Sequence, residues 1–527
     1  MWQKQFYLIS LFICLALLGL TFIWPNSAYF YMVVIPIFIL GVVDTFSQNN
    51  ILYNYPVIGH IRFLMEFISP EIRQYFLEDD KSGRPYNREQ RDLIKNRAQN
   101  RNGIHPFGTE QDIKVEGYNF TLHSMAVKSV PPEAARVIVG GPECKQPYNS
   151  SRLNISSMSF GALSSRAVLA MNKGAKLGEF SQDTGEGGLT SYHLEYNADI
   201  VWEIGTAYFG CRTPGGRFND EEFRKKSNHN AVKMIAIKLS QGAKPSDGGF
   251  LPGVKVSKEI AYFRDIPEGK DCQSPAVHPE FNTPRGLLEF VLRLRQLCGG
   301  KPVGFKLCVG RRSDFLGICK AMLVTGITPD FITIDGAEGG TGAAPSEFSD
   351  YVGLALDEAL PFVHSSLVGC NLRKHIRLIV SGKIVDGFDM LQKIALGADL
   401  CNVARPMMFA VGCIQALRCH TGNCPTGVTT QDPKRAKAID IDTKALYVKN
   451  YQQDTIKNFL DLVGAVGVDH PDKLTPDMIW HRLGNQKAVT YAQLYDYLQP
   501  GALLNGQIPA DFAKDWEQAN ADYYYCV

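Results

Sequence analysis

Three cysteines crowd one short stretch: Cys413, Cys419 and Cys424, spaced C-x5-C-x4-C and closed by Pro425. Thiolates at such spacing are metal ligands by type. A structural zinc ion takes four protein ligands, and His420, adjacent to Cys419, is poorly placed to share a metal with it. Three thiolates suit an iron–sulfur cluster with one corner lacking a protein ligand. Three unrelated buried thiols are the plain alternative. The preceding run, Ala398 to Pro406, reads as a strand ending in a turn. A redox centre at a strand end is therefore expected.

Other candidates share that placement. Lys238 in AIKLS and Lys306 in GFKLC each close an apolar run, where a buried ammonium needs an anionic partner. Glu186 lies in the turn Thr184-Gly185-Glu186-Gly187-Gly188, either as an acid or substrate contact or as a turn-stabilising hydrogen bonder. The loop Met158-Ser159-Phe160-Gly161 has small residues that let a flat ring approach the backbone. The segment from Asp335 to Pro345, with Gly339, Gly340 and Thr341, has enough glycine for its amides to cradle an anion. Ser381-Gly382-Lys383 and Ala404-Arg405 follow the last two strand-like runs.

Strand and helix patterns alternate to hold these residues over about 150–430. The strand-like runs cover 153–160, 179–185, 234–240, 303–309, 330–336, 376–382 and 399–405, with a weak eighth expected around Cys272–Pro275. Gly-rich turns follow the strands. This is the sequence form of an α/β fold, a (β/α)8 TIM barrel with its site on the C-terminal face and phosphate loops after the last two strands. The rival open sheet would need a strand–GxGxxG–helix unit, and none is found.

From Gln5 to Val43 there is no charged residue. The break at Trp24-Pro25-Asn26-Ser27 divides the stretch into Phe6–Trp24 and Ala28–Val43, read as a two-pass transmembrane hairpin with Trp24, Tyr29 and Tyr31 near the interface. A signal peptide fits poorly, because the apolar stretch is too long and no small-residue cleavage site follows. Lys4 and Arg62 flank the hairpin and the turn is uncharged, so both ends, and the catalytic domain, are expected in the cytoplasm at the inner membrane. Pro36 leaves a re-entrant second segment open. Ser69-Pro70-Glu71 and Asn87-Arg88-Glu89 are expected helix starts, and Arg73, Arg84 and Arg88 are expected to be solvated or paired.

The net charge of +2 offers no basic excess, so nucleic acid is not an expected partner. The thirteen cysteines lie mostly singly in apolar runs, as reduced thiols do. The expected organisation is a hairpin over 1–44, a helical linker over 45–114, the barrel domain over 115–432 and a helical extension over 433–527.

Taken together, the motifs MSFGALS, TGEGG, IKLSQGAKP, LPGVKV, GGTGAAP and C-x5-C-H-x3-CP followed by GVTTQ resemble the FMN and iron–sulfur domain of glutamate synthase. The whole chain is similar to membrane-anchored FMN-binding glutamate synthase family proteins, through PEIRQYF and GRPYNREQR after the apolar hairpin. The resemblance implies a [3Fe–4S] cluster on Cys413, Cys419 and Cys424. It implies FMN held by Lys306 and the loops at Ser381–Lys383 and Ala404–Arg405; a reduced flavin is an anion suited to such lysines. Lys244 and Arg264 match the family's 2-oxoglutarate contacts. A glutamine usually found a few residues after the lysine is replaced by Phe250.

No counterpart of the family's glutaminase domain or NADPH-binding fold is legible. The expected activity is therefore reductive amination of a 2-oxo acid, 2-oxoglutarate to glutamate, with ammonia or an amine and an external electron donor such as ferredoxin or a flavoprotein. The alternative keeps the cofactors but passes electrons to a membrane partner such as quinone.

Overall fold

The computed structural model describes residues 2–101, 107–506 and 508–524. The chain forms two compact units, one through Glu89 and one from Gln90 onward.

The first unit begins with helix Trp2–Ile23, a 3-10 turn Pro25–Phe30 and helix Tyr31–Asp44. Pro25 has no N–H to continue the first helix, so the chain turns there. The segments of 22 and 20 residues are each long and apolar enough to cross a membrane, with mean hydropathies of 2.5 and 1.9. Leu8, Phe12, Leu15, Met32 and Ile39 leave their side chains exposed. Asp44 ends the second helix buried, accepting from Val57 N at 2.8 Å and pairing with His60 Nε2 at 2.9 Å.

The expected helix start at Ser69-Pro70 is not where the helix begins. The helix spans Gly59–Ile72 with Pro70 inside, and a π turn, Arg73–Leu77, follows directly. Proline near a helix's last turn loses its bond where the ladder is already opening, and so mimics an N-terminal signal. Arg73 and Arg88 pair with Glu78 and Asp80 at 3.2 and 3.4 Å. Helix Arg88–Ala98 starts as expected.

The second unit is built on a closed barrel of eight parallel strands in chain order: β1 (Leu153–Ile155), β2 (Ser181–Asp183), β3 (Asp199–Ile204), β4 (Val232–Lys238), β5 (Val303–Leu307), β6 (Phe331–Asp335), β7 (Arg377–Ser381) and β8 (Leu400–Val403). Pairing of Val403 with Ile155 closes the ring. Six strands fall within the expected runs, and a seventh, Val232–Lys238, overlaps the run 234–240 and begins two residues earlier. The eighth does not: Cys272–Gln273 forms a short antiparallel pair with Phe250–Leu251 outside the barrel, and the missing strand is Asp199–Ile204. Its sequence, Asp-Ile-Val-Trp-Glu-Ile, carries acids that break the apolar run a buried parallel strand normally shows.

Helices Ser165–Gly178, Pro284–Leu297, Arg312–Thr325, Leu356–Gly369 and Gly387–Ala395 follow β1, β4, β5, β6 and β7. The hairpin Arg136–Val139 with Tyr148–Ser151 packs Val137, Val139 and Tyr148 against Val201, Met234, Phe331 and Leu400, filling the end where the strands begin. The other end is left for loops. The longest loop, 239–283 after β4, carries the 3-10 turn Gly253–Lys255 and helix Lys258–Arg264.

The C-terminal part is not helical throughout. Helix Ile441–Ala465 packs on Ser165–Gly178, but Ile479–Arg482 joins Ala488–Thr490 and the distant Asn119–Thr121 in an antiparallel sheet. Pro476–Met478, within the expected helical extension, forms only a single 3-10 turn.

Candidate functional site at the barrel mouth

Lys238 and Lys306 are register partners on β4 and β5, so the two lysines stand side by side at the strands' C-terminal ends. Both are buried, and each has found a carboxylate. Lys238 Nζ lies 3.0 Å from Glu186 Oε2. Lys306 Nζ lies 3.2 Å from Glu203 Oε2 and 3.8 Å from Asp335 Oδ2, and donates to Ser157 Oγ at 2.7 Å. Burial works against the Lys306 charge, but Glu203, Asp335 and Asp183 outweigh it and hold the ammonium protonated. Asp183, on β2, is pushed up by burial and by Glu203. Ser157 Oγ sits 2.7 Å from Glu203 Oε2 and 3.1 Å from Asp183 Oδ2, yet its single hydrogen serves one of them at a time.

Glu203, Asp183, Asp335 and Ser157 did not emerge from the sequence as the partners of Lys306. For Glu203 the signal was a carboxylate inside Ile-Val-Trp-Glu-Ile, an expensive residue to bury unless paired. Thr184 turns inward: its hydroxyl lies 2.9 Å from Gly185 O and accepts from Glu203 N at 3.1 Å.

Glu186 is a carboxylate rather than an acid. Burial opposes its charge, but Lys238 first, then Arg264 and Lys244, bring its pKa down. Two glycines frame it closely. A Cβ at Gly249 would lie 2.1 Å from Glu186 Oε1, and one at Gly205 would lie 2.7 Å from Glu186 Cβ. Glu186, Lys238 and Lys244 line one cleft together with Ser240, Gln241 and Thr206. Lys244, from the 239–283 loop, is buried with Asp247 3.5 Å away, and burial pulls its pKa down.

Arg264 belongs to the same charged group but sits beneath the 158–161 loop. Its Nη2 donates to Phe160 O at 3.1 Å and approaches Ser159 Oγ at 3.4 Å, and its guanidinium lies 5.0 Å from the Phe209 ring centre. Its Nε is buried without an acceptor. The 158–161 and 184–188 loops touch through bare backbone: a Cβ at Gly185 would lie 2.6 Å from Ser159 N. The 158–161 loop follows Ser157, which Lys306 contacts, so these two loops border Lys306.

The expected phosphate loops also adjoin the glycine loop. Arg405 Nη2 donates to Glu338 O at 2.6 Å, and a Cβ at Gly340 would lie 3.0 Å from Arg405 Nη1. Ser381 Oγ lies 3.3 Å from Ser156 Oγ, and Lys383 holds a left-handed φ of 45°. A Cβ at Gly342 would lie 3.5 Å from Cys419 Cβ. Residues 339–342 thus run from Arg405 to the cysteine loop.

The cysteines within the described residues are all free thiols. Among those residues, no three His, Cys, Asp or Glu side chains converge as they would around one metal ion. A cuboidal cluster asks for less convergence, since each thiolate binds a different iron. Cys413, Cys419 and Cys424 would be the three thiol donors to such a group. Cys413 feels both Cys419 and Cys424, and burial pushes it up to about 12. Burial also opposes the Cys424 thiolate, but hydrogen bonds from Thr429 and Thr426 bring it down to about 7. Cys413 Sγ accepts from Gln415 N at 3.4 Å.

Residues 92–469 match the family model described as a conserved region in glutamate synthase. The glutamate synthase large subunit-like protein YerD of Bacillus subtilis (strain 168) is 38% identical over 83% of this chain and 90% of that relative. An archaeal glutamate synthase [NADPH] of Methanocaldococcus jannaschii is 36% identical over 61% of this chain, and the match spans 60% of that relative. A glutamate synthase large subunit-like protein of Rhizobium meliloti (strain 1021) is 28% identical over 65% of this chain and 77% of its own length.

Proposed function

Because the chain belongs to the glutamate synthase family, a family of oxidoreductases, we propose that it is a membrane-anchored enzyme that reductively aminates a 2-oxo acid, 2-oxoglutarate to glutamate, with electrons from an external donor. In this reading FMN lies at the barrel mouth and Cys413, Cys419 and Cys424 hold an iron–sulfur cluster of the [3Fe–4S] type. Bound there, FMN would supply two-electron reduction of a carbon–nitrogen double bond, and the cluster one-electron delivery to the flavin.

The observation that carries the reading is the pair of adjacent buried lysines, each balanced by its own carboxylate. A cofactor that becomes anionic on reduction needs fixed cations at its ring, and Lys306 is held protonated by Glu203 and Asp335. The touching 158–161 and 184–188 loops would exclude water from the ring face. Ser381–Lys383 and Ala404–Arg405 would hold the phosphate. Lys244 faces the cleft and Arg264 keeps a buried donor without an acceptor, so the two would take substrate carboxylates. Glu186, ionised, orients Lys238 rather than donating a proton. The two apolar helices would anchor the chain in the cytoplasmic membrane.

Purified, chemically reduced protein should form glutamate from 2-oxoglutarate and ammonium; no turnover with any 2-oxo acid would sink the proposal. Phe250 favours a second reading. It stands 40% exposed on the 239–283 loop, where an amide is expected, and cannot supply an amide's hydrogen bonds. A quinone acceptor fits that substitution, and a quinone analogue that reoxidises the flavin when 2-oxo acids and ammonium do not would identify it.

A further inference from the structure

Lys255 closes the 3-10 turn Gly253–Lys255 and is 3% exposed. Its ammonium donates to Ala162 O at 3.0 Å and to Cys419 O at 3.3 Å. Its stem runs beside Gly422, where a Cβ would lie 3.8 Å from Lys255 Cγ. One end of this contact follows the 158–161 loop and the other lies in the cysteine loop. The other buried lysines at the barrel mouth, Lys238, Lys244 and Lys306, have carboxylates at 3.0, 3.5 and 3.2 Å. Among the described residues no carboxylate lies within ion-pair distance of Lys255, and its hydrogen bonds go to backbone carbonyls alone. A buried ammonium offered only carbonyl oxygens lacks a counter-charge.

We propose that Lys255 is the counter-cation of the iron–sulfur cluster: a positioning residue that ties the cluster loop to the flavin loop and raises the cluster's reduction potential. This rests on the cluster reading given above. Three thiolates and the cluster's own sulfides carry net negative charge, and one-electron reduction adds another. A fixed cation beside them therefore favours the reduced form.

The test is an EPR-monitored redox titration of the purified full-length protein and its Lys255→Gln, Lys255→Met and Lys255→Arg variants, with iron and flavin content measured on each. Lys255→Gln and Lys255→Met are expected to make cluster reduction at least tenfold less favourable, 59 mV for one electron. Lys255→Arg is expected to stay near wild type. Iron lost from the Gln and Met variants but kept in the Arg variant supports the charge role equally. An unchanged midpoint in an iron-replete Lys255→Gln protein overturns the inference and leaves the cluster reading standing, as does iron lost alike from all three variants. Wild-type protein without iron overturns both.

Discussion

Replacing Lys306 by Met strands a buried carboxylate. Glu203 is 1% exposed, its Oε1 already lacks a hydrogen-bond partner, and Lys306 is its ion-pair partner at 3.2 Å. At an effective dielectric of about 20, opposite charges at that distance attract by about 5 kcal/mol, before the cost of desolvating both. Removing one partner of a buried pair typically costs ~3–5 kcal/mol, because the other charge stays buried. Lys306→Met should therefore lose about 3–5 kcal/mol in denaturant unfolding followed by tryptophan fluorescence, and should lose FMN on gel filtration. Adding Glu203→Gln removes the stranded charge and should recover roughly 2 kcal/mol of stability without restoring the flavin. Lys306→Arg provides a folded control. A loss below ~1 kcal/mol, or strict additivity of the two substitutions, would refute the claim that these charges form one unit.

Four further outcomes are expected. Lys244→Gln should raise KM for the 2-oxo acid by roughly 10- to 100-fold, the worth of a charge-assisted hydrogen bond, with flavin content unchanged; an unaltered KM would remove Lys244 from the substrate site. Cys424→Ser should abolish the cluster's EPR signal while FMN is retained, and iron kept at the wild-type level would exclude that cysteine as a ligand. Gly242→Ala places a Cβ 1.8 Å from Gly336 O, so it should destabilise by about 1–3 kcal/mol and disturb the glycine loop; wild-type melting would contradict that close approach. Burial lowers His193 to about 3 and His278 to about 4, whereas the unfolded chain protonates them near pH 6.5. The unfolded state then binds more protons on acidification, so stability present above pH 6.5 falls as pH drops, by about 2 kcal/mol per histidine at pH 5. Unfolding free energies measured at pH 7 and pH 5 check this, and His278→Gln should flatten its share.

The barrel was legible because parallel strands buried on both faces tend to be short apolar runs, and most of the seven runs ended in glycine-containing turns. Strand Asp199–Ile204 escaped because it carries Glu203, the charge that pairs with Lys306. The buried carboxylate broke the apolar pattern there, and an eighth barrel strand was read into the 239–283 loop instead. The lysines were legible as charges at strand ends, but their partners were not. Glu203, Ser157 and Asp183 come from other strands and loops, and only closure of the barrel brings them to Lys306. Pro70 misled for a local reason, since a proline in a helix's last turn looks like one in its first. The sheet joining Asn119–Thr121 to Ile479–Arg482 pairs segments too distant in the chain for any local signal to reveal.

The most direct test is anaerobic. The purified full-length protein, its flavin photoreduced, is mixed with 2-oxoglutarate and ammonium while flavin absorbance and glutamate are followed together. Flavin reoxidation and glutamate formation are expected to proceed one for one. Flavin that stays reduced with 2-oxoglutarate and other 2-oxo acids, yet is reoxidised at once by a quinone analogue, would contradict it.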